Sequence, residues 1–496
     1  MTKGDRRNFK LFARLQDGDK KYVQLFDAID KQSEYDEPKL LEQFKGERFT
    51  KQFSVAKNYL YNYILKTLHI FHKDQYTELS TLMHQIQILM GKNLYDQSRK
   101  LVRKAKHLAE RQERFQETLY LLEYERMILH RTQQMKQYEA LLATVQEQEN
   151  KAIVRLQNLQ EYKHLYDEIY VILNRANSAR GENEVTEVNT ILSHPLLQDE
   201  DQALSTRAQL KMLATLNECH MFKHDFAACR DVSKRIMAVY EDNESIRKEK
   251  NLRYINTVSN LGIFCYYLGH REESFAMLSK MKSLETYSQH EKLRVFEKYY
   301  HFKIALCIEM GAEEEGRATI ESFIKEFKAV EGQIMKSIEL AISFFVANFF
   351  VMAGDHSEAL PWVNHILNEP KTELRTDIQC MARILNLIIH LELGNRDFVE
   401  YNLKSTARFL SNRDRLYKFE RIILKYLRYL AALGPDDSDR DLLVKFSAEM
   451  EEVLIDPLER KALNLFDVVT WIKSRQQQAS MMQLVQSEAE GVQKLD

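Results

Sequence analysis

The sequence predicts an all-α protein built as a solenoid of stacked antiparallel helix pairs with distinct caps. Three observations carry that prediction. Glycine occurs 14 times and proline 6 times in 496 residues, about half and about a quarter of average usage, so the chain is poor in turns. A chain of this length exceeds what one hydrophobic core organises, which leaves several domains or a repeat array. The third observation favours the array: Gly269, Gly311, Gly354, Gly394 and Gly434 recur at spacings of 42, 43, 40 and 40 residues, the order of one helix pair each.

The first 74 residues read as an N-terminal aromatic-rich cap. Lys20 to Ile29 is apolar-periodic, and Asp36-Glu-Pro-Lys has the composition of a helix start with proline in its first turn. Gly46 ends the short helix begun there. Phe49 to Phe71 is an amphipathic helix carrying Phe49, Phe53, Tyr59, Tyr63 and Phe71, and a solenoid needs such an end to seal its first repeat.

Residues 75–434 form the array. The glycine ladder extends backwards through Lys223, Gly181, Met135 and Asn93 at spacings of 46, 42, 46 and 42. Five positions after the markers stand Ser98, Ala140, Thr186, Ala228, Ser274, Gly316, Ala359, Val399 and Asp439. All but the last are small or β-branched, which lets a second helix approach the first closely. The best-defined pair is Met335 to Leu367. Its first helix is almost continuously apolar from Leu340 to Ala353, Gly354 supplies the turn, and Asp355 with Glu358 has the spacing of a capping box. His194-Pro195 to Asp201 and the acidic turn after Gly434 interrupt the pattern. Asp456-Pro457-Leu-Glu459 then starts a C-terminal helix with Ala462, Leu465, Phe466, Val469 and Ile472 on one face, so 435–474 reads as C-terminal capping helices. Residues 475–496 read as a polar, mobile tail.

At Tyr-Leu-Gly269-x4-Ser274-Phe and Met-Ala-Gly354-x4-Ala359-Leu the chain resembles the tetratricopeptide repeat family. Gly262 and Ala347 match that family's small residue in the first helix, seven before the marker. The resemblance spans roughly residues 75 to 434 and departs in period, 40 to 46 residues against about 34, so each helix should be longer. It implies a right-handed α-solenoid whose first helices line a concave face. Its ligand-contacting offsets fall on Asn217 and Asn348 six before the marker, Ser259 and His301 ten before, Asn256 and Lys298 thirteen before, and His220 and Tyr266 three before. The paired lysines with which some members clamp a peptide carboxylate are not reproduced, because Leu213 and Phe344 stand at that position.

Chemistry is sparse elsewhere. Cys219, His220, His224 and Cys229 fall within eleven residues, the density of a metal site, yet Cys219, Cys265 and Cys307 each stand four before a marker. A repeated thiol is expected in a helix interface. No phosphate-binding glycine loop, His-Glu-x-x-His or Gly-x-Ser-x-Gly is present, so the sequence nominates no catalytic residue, metal or cofactor. The stretch Arg99 to His107 is locally basic, but Glu110, Glu113 and Glu117 come after it and aromatics are not interleaved, which argues against nucleic acid. Lys+Arg of 71 against Asp+Glu of 73 gives a net charge of −2 and no global pull toward polyanions.

Five cysteines without a Cys-x-x-Cys read as reduced thiols. The N-terminus lacks a secretory pattern, and Leu340 to Ala353 is shorter than the ~20 residues a bilayer needs, so no membrane insertion is expected and the cytoplasm is the expected location. The expected function is that of a non-enzymatic scaffold or adaptor holding a protein or peptide on its concave face. A ligand-gated regulator and a non-catalytic subunit of an enzyme complex are the alternatives. Oligomeric state is left open.

Overall fold

The structure, a computed structural model, describes residues 3–15, 20–32, 35–71, 75–132, 137–178, 183–330, 332–370, 374–434 and 437–493. Among them there is no strand. The chain divides into two compact units, one of Met1–His164 with Asp199–Lys211, the other of Leu165–Gln198 with Met212–Asp496.

In the first unit α1 (Lys3–Leu15), α2 (Lys20–Asp30), α3 (Glu37–Gln43) and α4 (Phe53–Phe71) enclose a small core of Phe9, Leu25, Phe26, Leu40, Phe53 and Leu60. Helix α3 starts as its sequence requires. The Asp36 carboxylate accepts from Lys39 N–H at 3.0 Å with proline in the first turn, and Gly46 has φ +99° just beyond its end. The next helices, α5 (Gln75–Gly91), α6 (Tyr95–Arg111) and α7 (Phe115–Thr132), pack in order around Ile86, Val102, Ala105 and Leu121. The turn residue Asn93 has a left-handed φ of +56°, and Ser98, five residues later, is fully buried.

Helix α8 (Tyr138–Ser178) departs from the repeat. It runs unbroken for 41 residues where a 46-residue repeat requires two helices and a loop. Its sequence holds no glycine or proline to stop it. The small positions on this stretch, Ala140 and Thr186, are exposed, so the ladder does not hold here. Its markers Met135 and Gly181 lie outside the described residues. Where the chain returns to the first unit after α9 (Asn183–Leu192) and α10 (Pro195–Gln198), two side chains fasten it. Asn158 on α8 donates to the Gln202 carbonyl and accepts from Leu204 N–H, both at 3.0 Å. Glu113, in the α6–α7 turn at φ +50°, accepts from Thr206 and Arg207 N–H at 2.9 and 2.8 Å, capping the start of α11 (Thr206–Phe222).

The second unit is the regular part. After α12 (Phe226–Asp242) and the short α13 (Glu244–Glu249) come five helix pairs. These are α14 (Asn251–Tyr267) with α15 (Arg271–Lys282), α16 (Gln289–Met310) with α17 (Glu313–Val330), α18 (Lys336–Ala353) with α19 (His356–Leu367), α20 (Thr376–Glu392) with α21 (Arg396–Ser411), and α22 (Lys418–Ala431) with α23 (Arg440–Val453). First helices pack on first helices in sequence, and each second helix also touches the next pair. This is repeat packing. Gly269, Gly311, Gly354 and Gly394 adopt φ of +77°, +63°, +86° and +77° in the turns, a backbone only glycine takes without strain. Five residues on, Ser274, Ala359 and Val399 are buried, and a Cβ on Gly316 would stand 2.0 Å from the Phe349 ring. Gly434 also lies in a turn, without a positive φ.

Three local expectations are corrected. Asp355 makes no side-chain cap; its carboxylate pairs instead with Arg317, tying α17 to the α18–α19 turn. Glu459, on the short α24 (Pro457–Arg460), is buried and accepts from Lys418 and Phe419 N–H at 3.3 and 3.1 Å, so it caps α22 rather than its own helix. The final apolar face belongs to a separate helix, α25 (Val468–Gln477), started by Asp467 accepting from Thr470 N–H at 3.0 Å.

The stretch 475–496 also differs from the expected tail, because it contains α26 (Met481–Gln493), which packs on α16, α18 and α25 with Met481 and Met482 buried. Helix α18 is long and apolar enough by length and composition to cross a bilayer. Twelve of its eighteen residues are buried in the core of this unit.

Candidate functional site

Successive residues on a helix turn by about 100°, so α16 carries two opposed stripes. One holds Lys292, Phe296, Tyr299 and Lys303, and lines an outer cleft of about 400 Å³ against Lys282, Glu315, Ser322 and Glu326. The other holds Arg294, Lys298, His301 and, further along, Glu309. This inner stripe stands beside the inner residues of α14, because α14 packs on α16.

Tyr267 is 54% exposed and Glu309 is also exposed, yet burial is the main cause raising the pKa of both. Glu309 also raises the pKa of Tyr266, whose hydroxyl is pushed up to about 12, chiefly by burial.

Five of the eight residues singled out from sequence lie on α14 and α16, and among them Lys298 acts electrostatically on His301. Asn256 Oδ1 and Ser259 Oγ are buried and have no hydrogen-bond partner. Lys298 makes no hydrogen bond or ion pair among the described residues. Burial and, secondarily, the neighbouring Arg294 hold its pKa below the usual lysine range, with Glu297 opposing. His301 packs edge-on against Phe345, ring centroids 4.4 Å apart, and is held down to about 4 by burial, then by Lys298 and Arg375. Tyr266 completes the set.

The other three are placed differently. Asn217 accepts from the Ser233 hydroxyl at 3.2 Å and holds α11 to α12. Asn348 is 6% exposed and donates to the Leu465 carbonyl at 2.7 Å, so the chain's own C-terminal segment covers that inner position of α18. His220 lies by the turn with Asp225 at 3.5 Å, its pKa lowered chiefly by burial.

Sequence offsets missed Arg294, Tyr267, Glu309 and Arg375. The first stands one helical turn before Lys298, and Glu309 stands two before Gly311; both signals were present in the helical period. Arg375 comes from the start of α20, where it adopts φ +52° and binds Asp377 through two bonds of 3.0 and 2.8 Å. Its proximity to His301 depends on tertiary folding.

A second polar cluster is bonded internally, while His356 Nδ1 beside it is buried without a partner. Arg475 bonds Glu392 at 2.8 Å and Asp439 at 2.7 Å, and Trp471 Nε1 donates to Glu392 at 2.8 Å, beside a recess of about 460 Å³ that also includes His356. These bonds lock α25 to α20 and to the start of α23. All five cysteines are buried free thiols. Burial raises the thiol pKa of each, that of Cys219 to about 12, which suits packing and not nucleophilic work. No protein-family model matches the chain, and no curated protein matches it in sequence.

Proposed function

We propose that this chain is a non-enzymatic scaffold or adaptor of tetratricopeptide-like design, in which the concave face of α14 and α16 holds a peptide segment of a partner protein. The observation that carries the reading is the row of unsatisfied polar groups on that face. Asn256 Oδ1, Ser259 Oγ and the Lys298 ammonium are drawn out of water without receiving a partner. Such groups cost about 1–3 kcal/mol each when left unpaired; Asn256 Oδ1 and Ser259 Oγ are closed off from the surface, so Lys298 is the group a bound segment would pair. The five reduced thiols favour the cytoplasm as its location.

The test compares the parent with a variant carrying Asn256→Ala, Tyr266→Ala, Lys298→Ala and His301→Ala, after confirming that helicity and melting are retained. Tagged protein is used to capture partners from its native lysate at moderate salt. A stoichiometric protein held by the parent and lost by the variant is expected. Equal capture by both would remove the site from this face, and capture by neither would refute the scaffold reading.

A further inference from the structure

The recess beside Trp471 and Arg475 is built from helix ends. Gly354 closes α18, Gln478 closes α25, and Glu392 is the last residue of α20. His356 and Met481 are the first residues of α19 and α26, and Asp439 stands at the N-cap of α23. Three helix starts and three helix ends meet there, so their dipoles oppose one another and the side chains set the sign of the recess.

Those side chains leave one negative charge. The charged residues of the lining are Glu392, Asp439 and Arg475; burial lowers the pKa of His356, against the pull of Glu392 and Asp355, and leaves its ring neutral at pH 7. Two carboxylates therefore share one guanidinium. Arg475 holds them side by side, Nη1 donating to Glu392 Oε1 at 2.8 Å and Nη2 to Asp439 Oδ2 at 2.7 Å. The Trp471 indole donates to the same Glu392 oxygen at 2.8 Å, and Arg475 Nε to the same Asp439 oxygen at 3.3 Å. All four bonds thus fall on one oxygen of each carboxylate. Glu392 Oε2 and Asp439 Oδ1 accept no hydrogen bond among the described residues, and neither is a buried atom. The two side chains keep 17% and 31% of their surface exposed, so a ligand can reach them.

The volume of about 460 Å³ lies within the range of small-molecule sites, about 300–1,000 Å³. Val351 and Met481 give the recess an apolar wall. A metal ion fits it poorly, because no group of three or more His, Cys, Asp or Glu side chains converges among the described residues. An ammonium meets the requirement: it carries one positive charge and three N–H donors, enough to engage both free oxygens.

We infer that this recess binds a small primary amine of single charge, its ammonium donating to Glu392 Oε2 and Asp439 Oδ1 and its short carbon chain lying against Val351 and Met481. This site is separate from the peptide-binding reading and does not depend on it.

The test is nuclear magnetic resonance on the full chain with isotope-labelled tryptophan. Trp362 and Trp471 are the two tryptophans, and a Trp362→Phe variant assigns the Trp471 indole N–H, which reports on Glu392 through their bond. The probe is n-butylammonium chloride, with n-butanol, sodium butyrate and potassium chloride at matched concentration as controls. The amine should shift the Trp471 resonance saturably and leave that of Trp362 in place, and the three controls should move neither. Asp439→Asn and Glu392→Gln each remove one negative charge and keep an acceptor for Arg475. Either variant that retains the Trp471 resonance of the free parent should bind the amine at least tenfold more weakly.

Absence of a saturable shift in the parent, an equal shift from any of the three controls, or unchanged affinity in a variant with an intact Trp471 resonance would overturn the inference. Binding at least tenfold tighter to N-acetyl-lysine amide would also overturn it, by making the ammonium a partner's lysine side chain instead of a free amine.

Discussion

Replacing Gly311 with alanine should loosen α26, a helix far away in sequence, and the magnitude can be bounded by comparison with Gly354→Ala. Both glycines close first helices in left-handed conformations, φ +63° and +86°. Alanine should therefore cost each about 1–2 kcal/mol in backbone strain. Their surroundings differ. A Cβ at Gly311 would stand 2.6 Å from the Met482 carbonyl oxygen and 2.8 Å from Gln486 N, whereas one at Gly354 would meet nothing within 4 Å.

The contacts at Gly311 are with the backbone of α26, which cannot rotate away as a side chain would. Overpacking of this kind costs about 1–3 kcal/mol, and the strain should be relieved by the least anchored partner. That partner is α26, held chiefly by the burial of Met481 and Met482. In a chain of two compact units a global melting temperature mixes separate events, so the readout is local amide exchange. Peptides covering 481–493 should exchange about 5- to 150-fold faster in Gly311→Ala than in Gly354→Ala, given that 1.36 kcal/mol is tenfold. Equal protection of α26 in the two variants would refute its docking over Gly311.

Two further outcomes concern the same unit, which contains both tryptophans, Trp362 and Trp471, so that fluorescence-detected urea unfolding reports on it. Glu459→Ala strips the buried Phe419 N–H and the part-buried Lys418 N–H at the start of α22 of their acceptor and should cost about 1–3 kcal/mol; Glu459→Gln should recover about half, and no difference between the two would show that the cap is not made. His301 is held at about 4 in the fold against about 6.5 unfolded, so between those values the unfolded chain binds the extra proton. The stabilisation is complete above about 6.5 and is lost as pH falls toward 4. His301→Gln should reduce the stability lost between pH 7 and 5 by about 1–2 kcal/mol, and an unchanged pH slope would contradict the placement of His301 beside Lys298 and Arg375.

The helices of the second unit were readable because their signals are local. A left-handed turn needs glycine, and a close helix crossing needs a small residue five positions later; Gly269 with Ser274 and Gly354 with Ala359 satisfy both. Where signals were local but partners distant, the residues were recognised and their roles mistaken. Asp355 and Glu459 have capping compositions, yet Arg317 and the α22 amides claim their carboxylates. A capping box and a tertiary ion pair use the same side chain, and spacing alone cannot rank them. Helix α8 erred in the other direction, since extrapolating a period across a stretch without glycine imposed a break that nothing in its composition supplies. Docking of α26 was not legible at all. It depends on Met481 and Met482 in an otherwise polar segment and on Gly311 having no side chain, a coincidence between positions about 170 residues apart.

The same long-range packing decides which part of the inner face is open. Equivalent positions on successive first helices look alike in sequence, and Asn348 was as good a candidate as Asn256. In the fold the segment from Leu465 to Gln493 turns back onto α16 and α18, giving Asn348 the Leu465 carbonyl and placing α26 on the glycine end of α16. On α18, then, the Asn348 amide nitrogen is taken by the chain itself, while its Oδ1 stays buried without a partner, as Asn256 Oδ1 does on α14. On α14 and the first half of α16 the corresponding groups keep no such partner. One repeated architecture thus contains an inner position bonded by an internal segment, on α18, and inner positions on α14 and α16 to which that segment does not bond. For the proposed peptide segment, that coverage leaves α14 and α16 rather than α18 as the place to bind.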